Sequence, residues 1–301
     1  MITCRTRRSV RALVLAVATL AAAGTVAATP ARAAEPAYRY AALGDSGASG
    51  NGTGEYIGGN ADGCYRSEYA YPSLLAAKYS IPLTFAACAG ASMWSVADLQ
   101  LPHVPTDTGY ISLEVGANDA QLGNAVNYCS YSTPQACEQA FATSSGLIAN
   151  EIPGWYRQLL TMIRQRAPLA RVVIVGYPLM FSGASCADQR LDATMQSRLN
   201  SLTDRLNEAM KQAAAATGVG YVETRPAFTS HALCSPDPWI LPGNVQPWEA
   251  LHPNRAGHRL GLAPAVEAAL SSPASAAPSR SAARAGAAPV PALAQLEPAT
   301  R

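Results

Sequence analysis

The chain has 301 residues, a mean hydropathy of +0.04 and a formal net charge of +2, but its ends differ in composition from its middle. Residues 34–270 carry 14 Lys and Arg against 19 Asp and Glu, a net charge of −5. A mildly acidic body excludes an electrostatic footprint for nucleic acid and simple Coulombic adhesion to anionic lipid.

Residues 1–33 open with Arg5, Arg7, Arg8 and Arg11, continue as an Ala/Leu/Val-rich stretch and reach Ala31-Arg32-Ala33. That order predicts a secretory signal peptide, a mature start at Ala34 or Glu35, and an extracellular destination. Thr6-Arg7-Arg8 leaves the twin-arginine route open beside the general one. After the signal no apolar run approaches the roughly 18 residues that a spanning helix needs, so no stable membrane insertion is expected.

Tyr38 to Leu43 predicts a first strand, which runs into Gly44-Asp45-Ser46-Gly47. Ser67 to Tyr79 spaces Tyr71, Leu74, Leu75 and Lys78 at helical intervals, with Pro72 tolerable only in a first turn. Pro82 to Ala87 reads as a second strand ending at Cys88-Ala89-Gly90-Ala91, and Tyr110 to Val115 as a third ending at Gly116-Ala117-Asn118-Asp119. A helical region from Ser144 to Arg166, interrupted at Pro153, precedes Arg171 to Gly176. The continuous β-branched run there means burial on both faces, as in a parallel sheet covered by helices.

Leu191 to Ala216 predicts a long helix with Leu199, Leu202, Leu206 and Met210 as its apolar stripe. Val219 to Val222 gives a fifth strand, and Arg255 to Leu270 a closing helix. The fold class expected is therefore α/β in three layers, with a central, mainly five-stranded parallel sheet. Connections 120–143 and 228–251 read as long loops that build a site or its rim. From Ser271 to Arg301 the composition collapses to Ala, Pro and Ser, which predicts a disordered tail behind a single domain at 34–270.

Cys4 leaves with the signal, so six cysteines reach an oxidising compartment and predict three disulfides. The sequence alone does not choose the pairing. Cys64–Cys88, Cys129–Cys137 and Cys186–Cys234 is favoured, since each bridge would then close one excursion between core elements.

Polar residues gather where strands finish. Ser46 follows the first strand, Gly90 the second and Asn118 the third, while His252 precedes the last helix. A hydroxyl becomes a useful nucleophile when an imidazole takes its proton. The tetrahedral oxyanion that follows needs fixed donors. The Ser46 and Gly90 N–H groups and the Asn118 amide are donors of that kind, and Gly90 has no Cβ to hold a substrate away. Asp45 and Asp119 read as turn supports, His258 as a packing residue, His231 as rim or loop, and His103 as surface.

Gly44-Asp45-Ser46, the isolated Gly90, Gly116-x-Asn118-Asp119 and His252-Pro253-Asn254-x-x-Gly257 resemble, in order, the four blocks of the SGNH or GDSL hydrolases. The resemblance implies a flavodoxin-like fold, Ser46 as nucleophile, His252 as base, and Ser46, Gly90 and Asn118 as oxyanion donors. The six cysteines, with Phe228-x-x-His231-x-x-Cys234, are similar to a secreted actinobacterial lipase and esterase branch that has three sequential disulfides.

Two departures stand out. Gly47 follows Ser46 where the family usually has a large residue, which would widen the pocket or loosen the turn. Glu249, three residues before His252, stands where the family usually has Asp. Its carboxylate is the expected partner of the imidazole, with its main-chain oxygen or another acid as alternatives.

The implied activity is hydrolysis of acyl esters, lipid esters first, through an acyl-enzyme and without metal or organic cofactor. Polysaccharide deacetylation, feruloyl ester cleavage and a non-catalytic envelope- or carbohydrate-binding module are the alternatives. Trp94, Met180, Phe181, Trp239, Ile240, Leu241 and Trp248 either line an acyl groove or pack the long loops. A monomer is expected.

Overall fold

The computed structural model describes residues 38–186, 190–243, 245–246, 248–273, 290–296 and 298. The expected signal peptide at 1–33 and most of the expected tail lie outside the described residues. Five strands form one sheet: β1 (Tyr40–Gly44), β2 (Leu83–Phe85), β3 (Tyr110–Glu114), β4 (Arg171–Val175) and β5 (Gly220–Val222). Their spatial order is β2-β1-β3-β4-β5 and every pairing is parallel. β1, β3 and β4 are buried along their whole length, as the β-branched run of β4 predicts.

Helices cover both faces. Short α1 (Ser46–Ser49) leaves β1, and α2 (Tyr71–Tyr79) follows with Pro72 in its first turn, burying Tyr71, Leu75, Ala76 and Tyr79. α3 (Met93–Ser95) continues into a π-helical turn at Val96–Gln100. α4 (Leu122–Tyr131), α5 (Pro134–Asn150) and α6 (Ile152–Arg166) lie between β3 and β4. α7 (Ala193–Thr217) joins β4 to β5, and α8 (Arg225–Phe228) follows. A π-helical turn at Gly257–Leu262 runs into α9 (Ala263–Ser271). α2 and α9 pack together on one face of the sheet, α6 and α7 on the other.

Two expectations need correction. The connection 120–143 is not a loop: α4 and the first half of α5 fill it, with Thr133 accepting from Ala136 N–H and Pro134 opening the helix. The tail is not unstructured throughout. Residues 290–296 dock at the beginnings of β3 and β4, where Leu293 is fully buried. Tyr110 Oη donates to Pro291 O (3.2 Å) and Arg171 Nε to Val290 O (2.8 Å). The Pro/Ala-rich chain keeps enough apolar groups at Val290, Leu293 and Leu296 to reach the core.

The three disulfides join Cys64 to Cys88, Cys129 to Cys137 and Cys186 to Cys234, the sequential arrangement. The first ties the segment after α1 to the end of β2, the second clips α4 to α5, and the third joins the loop after β4 to the loop after α8.

Candidate active site

In an open parallel sheet, strand order reverses where two connections leave in opposite directions, and a crevice opens beyond the strand ends there. Here that point lies between β1 and β3. Ser46 stands just beyond β1 and Asn118 just beyond β3, so the topology delivers both to one crevice. Gly90, beyond β2, and His252, before the last helix, line the same cavity of about 650 Å³.

The Ser46 turn is braced from below. Asp45 caps α1 by accepting from Gly47 N–H (3.0 Å), and Tyr177 Oη donates to its other carboxylate oxygen (2.6 Å). Tyr177 is itself fixed by a two-way bond between its main chain and the Asn207 amide, 2.8 Å each way. Burial pushes the Asp45 carboxyl up to about 7, against the opposing effect of these bonds. Asp45 therefore supports the turn, as expected.

Among the described residues neither the Ser46 nor the Gly90 N–H has a protein acceptor. Gly90 adopts φ +78°, a left-handed conformation that favours glycine, and a Cβ there would meet no protein atom within 4 Å. The space beside it is open to a ligand. Asn118 donates through Nδ2 to Ala91 O (3.0 Å), which orients its amide. Asp119 accepts from Met93 N–H (3.1 Å) and so ties the β2–α3 segment to the β3–α4 turn.

The imidazole of His252 is held by main chain. Nδ1 lies 2.9 Å from Ala250 O and 3.3 Å from Glu249 O. Carbonyls only accept, so Nδ1 carries the proton and Nε2 keeps the lone pair, which is the tautomer a base requires. Burial holds the ring below its ordinary 6.5, with the two carbonyls and the Glu249 charge working the other way.

The expected contact between the Glu249 carboxylate and the ring is absent: that carboxylate accepts from Tyr56 Oη instead. Leu251 explains why. Its φ of +61° turns the chain so that the two preceding carbonyls point at the ring.

The remaining histidines are accounted for. His258 is fully buried, accepts from Tyr71 N–H (3.1 Å), and burial drives it down to about 3. His231 stacks on Trp239 at 3.7 Å away from the cavity lining, and His103 is exposed. Among the described residues no three His, Cys, Asp or Glu side chains group as metal ligands.

The cavity walls divide the expected apolar residues. Met180, Phe181 and Trp248 line it, whereas Trp239 and Ile240 pack into the core and Trp94 lies elsewhere. Among the lining residues that the sequence reading did not assign to the site are Leu122 and Val126 of α4, and Leu199 and Leu202 of α7. The last two belong to the apolar stripe of that helix. Glu114 also lines the cavity, and its signal was a lone carboxylate inside an apolar strand.

The GDSL-like lipase/acylhydrolase family model matches residues 42–260, which takes in all four strand-end groups. The chain belongs to that family. As a GDSL hydrolase it is similar to Lipase 1 of Streptomyces coelicolor, 37% identical over 255 residues that cover 83% of this chain and 94% of the relative. An extracellular lipase from Streptomyces rimosus superposes with a TM-score of 0.73 at 32% identity, covering 77% of this chain and all of that one. A phospholipase A1 from Streptomyces albidoflavus superposes with a TM-score of 0.74 at 31% identity, covering 77% and 99%. The GDSL hydrolase is thus a carboxylic ester hydrolase, which removes the alternative of a non-catalytic binding module.

Proposed function

We propose that this GDSL hydrolase is secreted and cleaves lipid acyl esters through Ser46 and His252, by way of an acyl-enzyme. Ser46 Oγ attacks the ester carbonyl carbon while His252 Nε2 takes its proton. The negative charge that forms on the carbonyl oxygen is met by the Ser46 and Gly90 N–H groups and by Asn118 Nδ2. As the carbon–oxygen bond to the alcohol breaks, His252 returns the proton to the leaving alcohol. Water then adds to the acyl-enzyme with His252 again as base, releasing the acid and free Ser46. Ala250 O and Glu249 O hold the imidazole and stabilise its charged form.

The observation that carries this reading is the convergence of these groups on one cavity whose walls include Leu122, Val126, Met180, Phe181, Leu199 and Leu202. Apolar walls of that extent suit an acyl chain. The deciding experiment compares p-nitrophenyl acyl esters, emulsified glycerides, phosphatidylcholine, acetylated xylan and methyl ferulate. Medium or long acyl chains should be turned over best, with the phosphatidylcholine arm testing likeness to the phospholipase. Far better turnover of acetylated xylan or ferulate would replace the lipid reading and leave the serine mechanism standing.

Secretion is supported by the signal-like segment and the three disulfides. N-terminal sequencing of protein from culture medium should begin at Ala34 or Glu35. Light scattering of the purified protein should give the mass of one chain.

A further inference from the structure

The side-chain space left empty by Gly47 is filled from the neighbouring strand. A Cβ on Gly47 would lie 2.5 Å from Glu114 Oε1 and 2.8 Å from its Cδ, closer than non-bonded atoms approach. The expected widening of the pocket at Gly47 therefore does not occur; the Glu114 carboxyl is packed there, one residue from Ser46.

Glu114 is fully buried, and among the described residues neither carboxyl oxygen has a hydrogen-bond partner. The ionisable groups that interact electrostatically with it are Asp45 from the β1–α1 turn, Tyr40 from β1, Tyr71 from α2 and Tyr177 from the segment after β4. None of them is a cation. An unpaired carboxylate in such a place is costly, and two neighbouring buried carboxyls cannot both ionise cheaply. Burial, and then the charge of Asp45, push the Glu114 carboxyl well above its ordinary value.

We propose that Glu114 is a positioning residue for the nucleophile turn: its carboxyl replaces the side chain missing at position 47, and turnover requires that carboxyl to be uncharged. The inference rests on Ser46 being the nucleophile. Uncharged, the group packs under Gly47 and holds the turn that presents Ser46. Charged, it places a negative group beneath the turn whose N–H must receive the developing oxyanion, in a site too dry to screen it.

The test measures kcat against pH for wild type and Glu114→Gln, each normalised to its own maximum, with circular dichroism at every pH. Wild-type kcat should fall by about tenfold or more on the alkaline side while the protein stays folded, and Glu114→Gln should hold its plateau there. A wild-type plateau that persists to alkaline unfolding, or an equal fall in Glu114→Gln, overturns the proposal.

A second arm tests the packing. Gly47→Ala should lose about tenfold or more in kcat, and adding Glu114→Ala should restore most of that loss. Additive losses would likewise overturn it. Labelling with an organophosphonate and mapping to Ser46 is done first: failure to label there rejects the serine mechanism, whereas labelling followed by matching alkaline limbs rejects only the role of Glu114.

Discussion

At His252 the protonated ring nitrogen faces Ala250 O and Glu249 O, while the Glu249 carboxylate accepts from Tyr56. Ser46→Ala and His252→Ala should each abolish nearly all turnover, because nucleophile and base act as a unit. Glu249→Gln and Glu249→Ala should keep kcat within about threefold, against the 10⁴-fold order of loss seen when a triad carboxylate orients the ring. A p-nitrophenyl ester assay on folded variants decides it, and a loss of about a hundredfold would return the ring to the carboxylate.

The pH profile has a defined sign. Burial lowers His252 below 6.5, and the base works only when neutral, so the acid limb of kcat/KM should lie below pH 6.5. A half-maximum above 6.5 would contradict the assignment. For Glu114 the linkage runs the other way. Its folded value lies above the ordinary 4.5, so the folded state keeps a proton that the unfolded state releases, and stability is lost as pH rises from about 4.5 towards the folded value. Glu114→Gln should therefore gain little Tm near pH 4 and progressively more towards pH 8, as differential scanning calorimetry would record.

At the scale of elements, the loop after β4 that carries Met180 and Phe181 is pinned to the loop after α8. Leu233 N–H donates to Met180 O (2.9 Å), Ser182 N–H to Leu233 O (3.1 Å), and Cys186–Cys234 closes the pair. Replacing both of these cysteines by Ala should cost roughly 2–5 kcal/mol of stability in denaturant unfolding. KM for long acyl esters should rise more than for acetyl esters, since the loosened wall contacts the chain. An unchanged chain-length preference would separate the bridge from the pocket.

The strands were legible because burial on both faces demands β-branched and apolar runs, as in Arg171–Val175. α4 and the start of α5 were not, because their small, amide and hydroxyl residues carry little apolar period; Thr133-Pro134 was the cap that could have revealed α5. Ser46, Gly90 and Asn118 could be read from strand ends, which the topology brings to one edge of the sheet, whereas His252 was read from its motif before the last helix. The choice among the partners considered for His252, of which the Glu249 main-chain oxygen was one, could not be made, since residue spacing is blind to a left-handed turn at Leu251.

For the molecule as a whole, the docked segment 290–296 closes the end of the sheet opposite the crevice. Leu293 joins the core, and Ala294 N–H donates to Ser271 Oγ (2.9 Å) at the end of α9. Leu293→Ala should cost about 2–5 kcal/mol by the usual cavity penalty, and deletion of residues 290–301 should lower Tm further. kcat should stay unchanged in both while the protein is folded, because the segment lies at the far ends of the strands. Loss of kcat without loss of Tm would mean that the segment reaches the site.

The separation of Ser46 and His252 along the chain, 206 positions, also orders events in time. Synthesis runs from the amino end, so the hydroxyl is made early and the imidazole late. On the Ser46–His252 reading, a chain that stops before position 252 holds one reactant of the pair without the other. Ester turnover by this pair then waits until the chain has passed position 252 and folded.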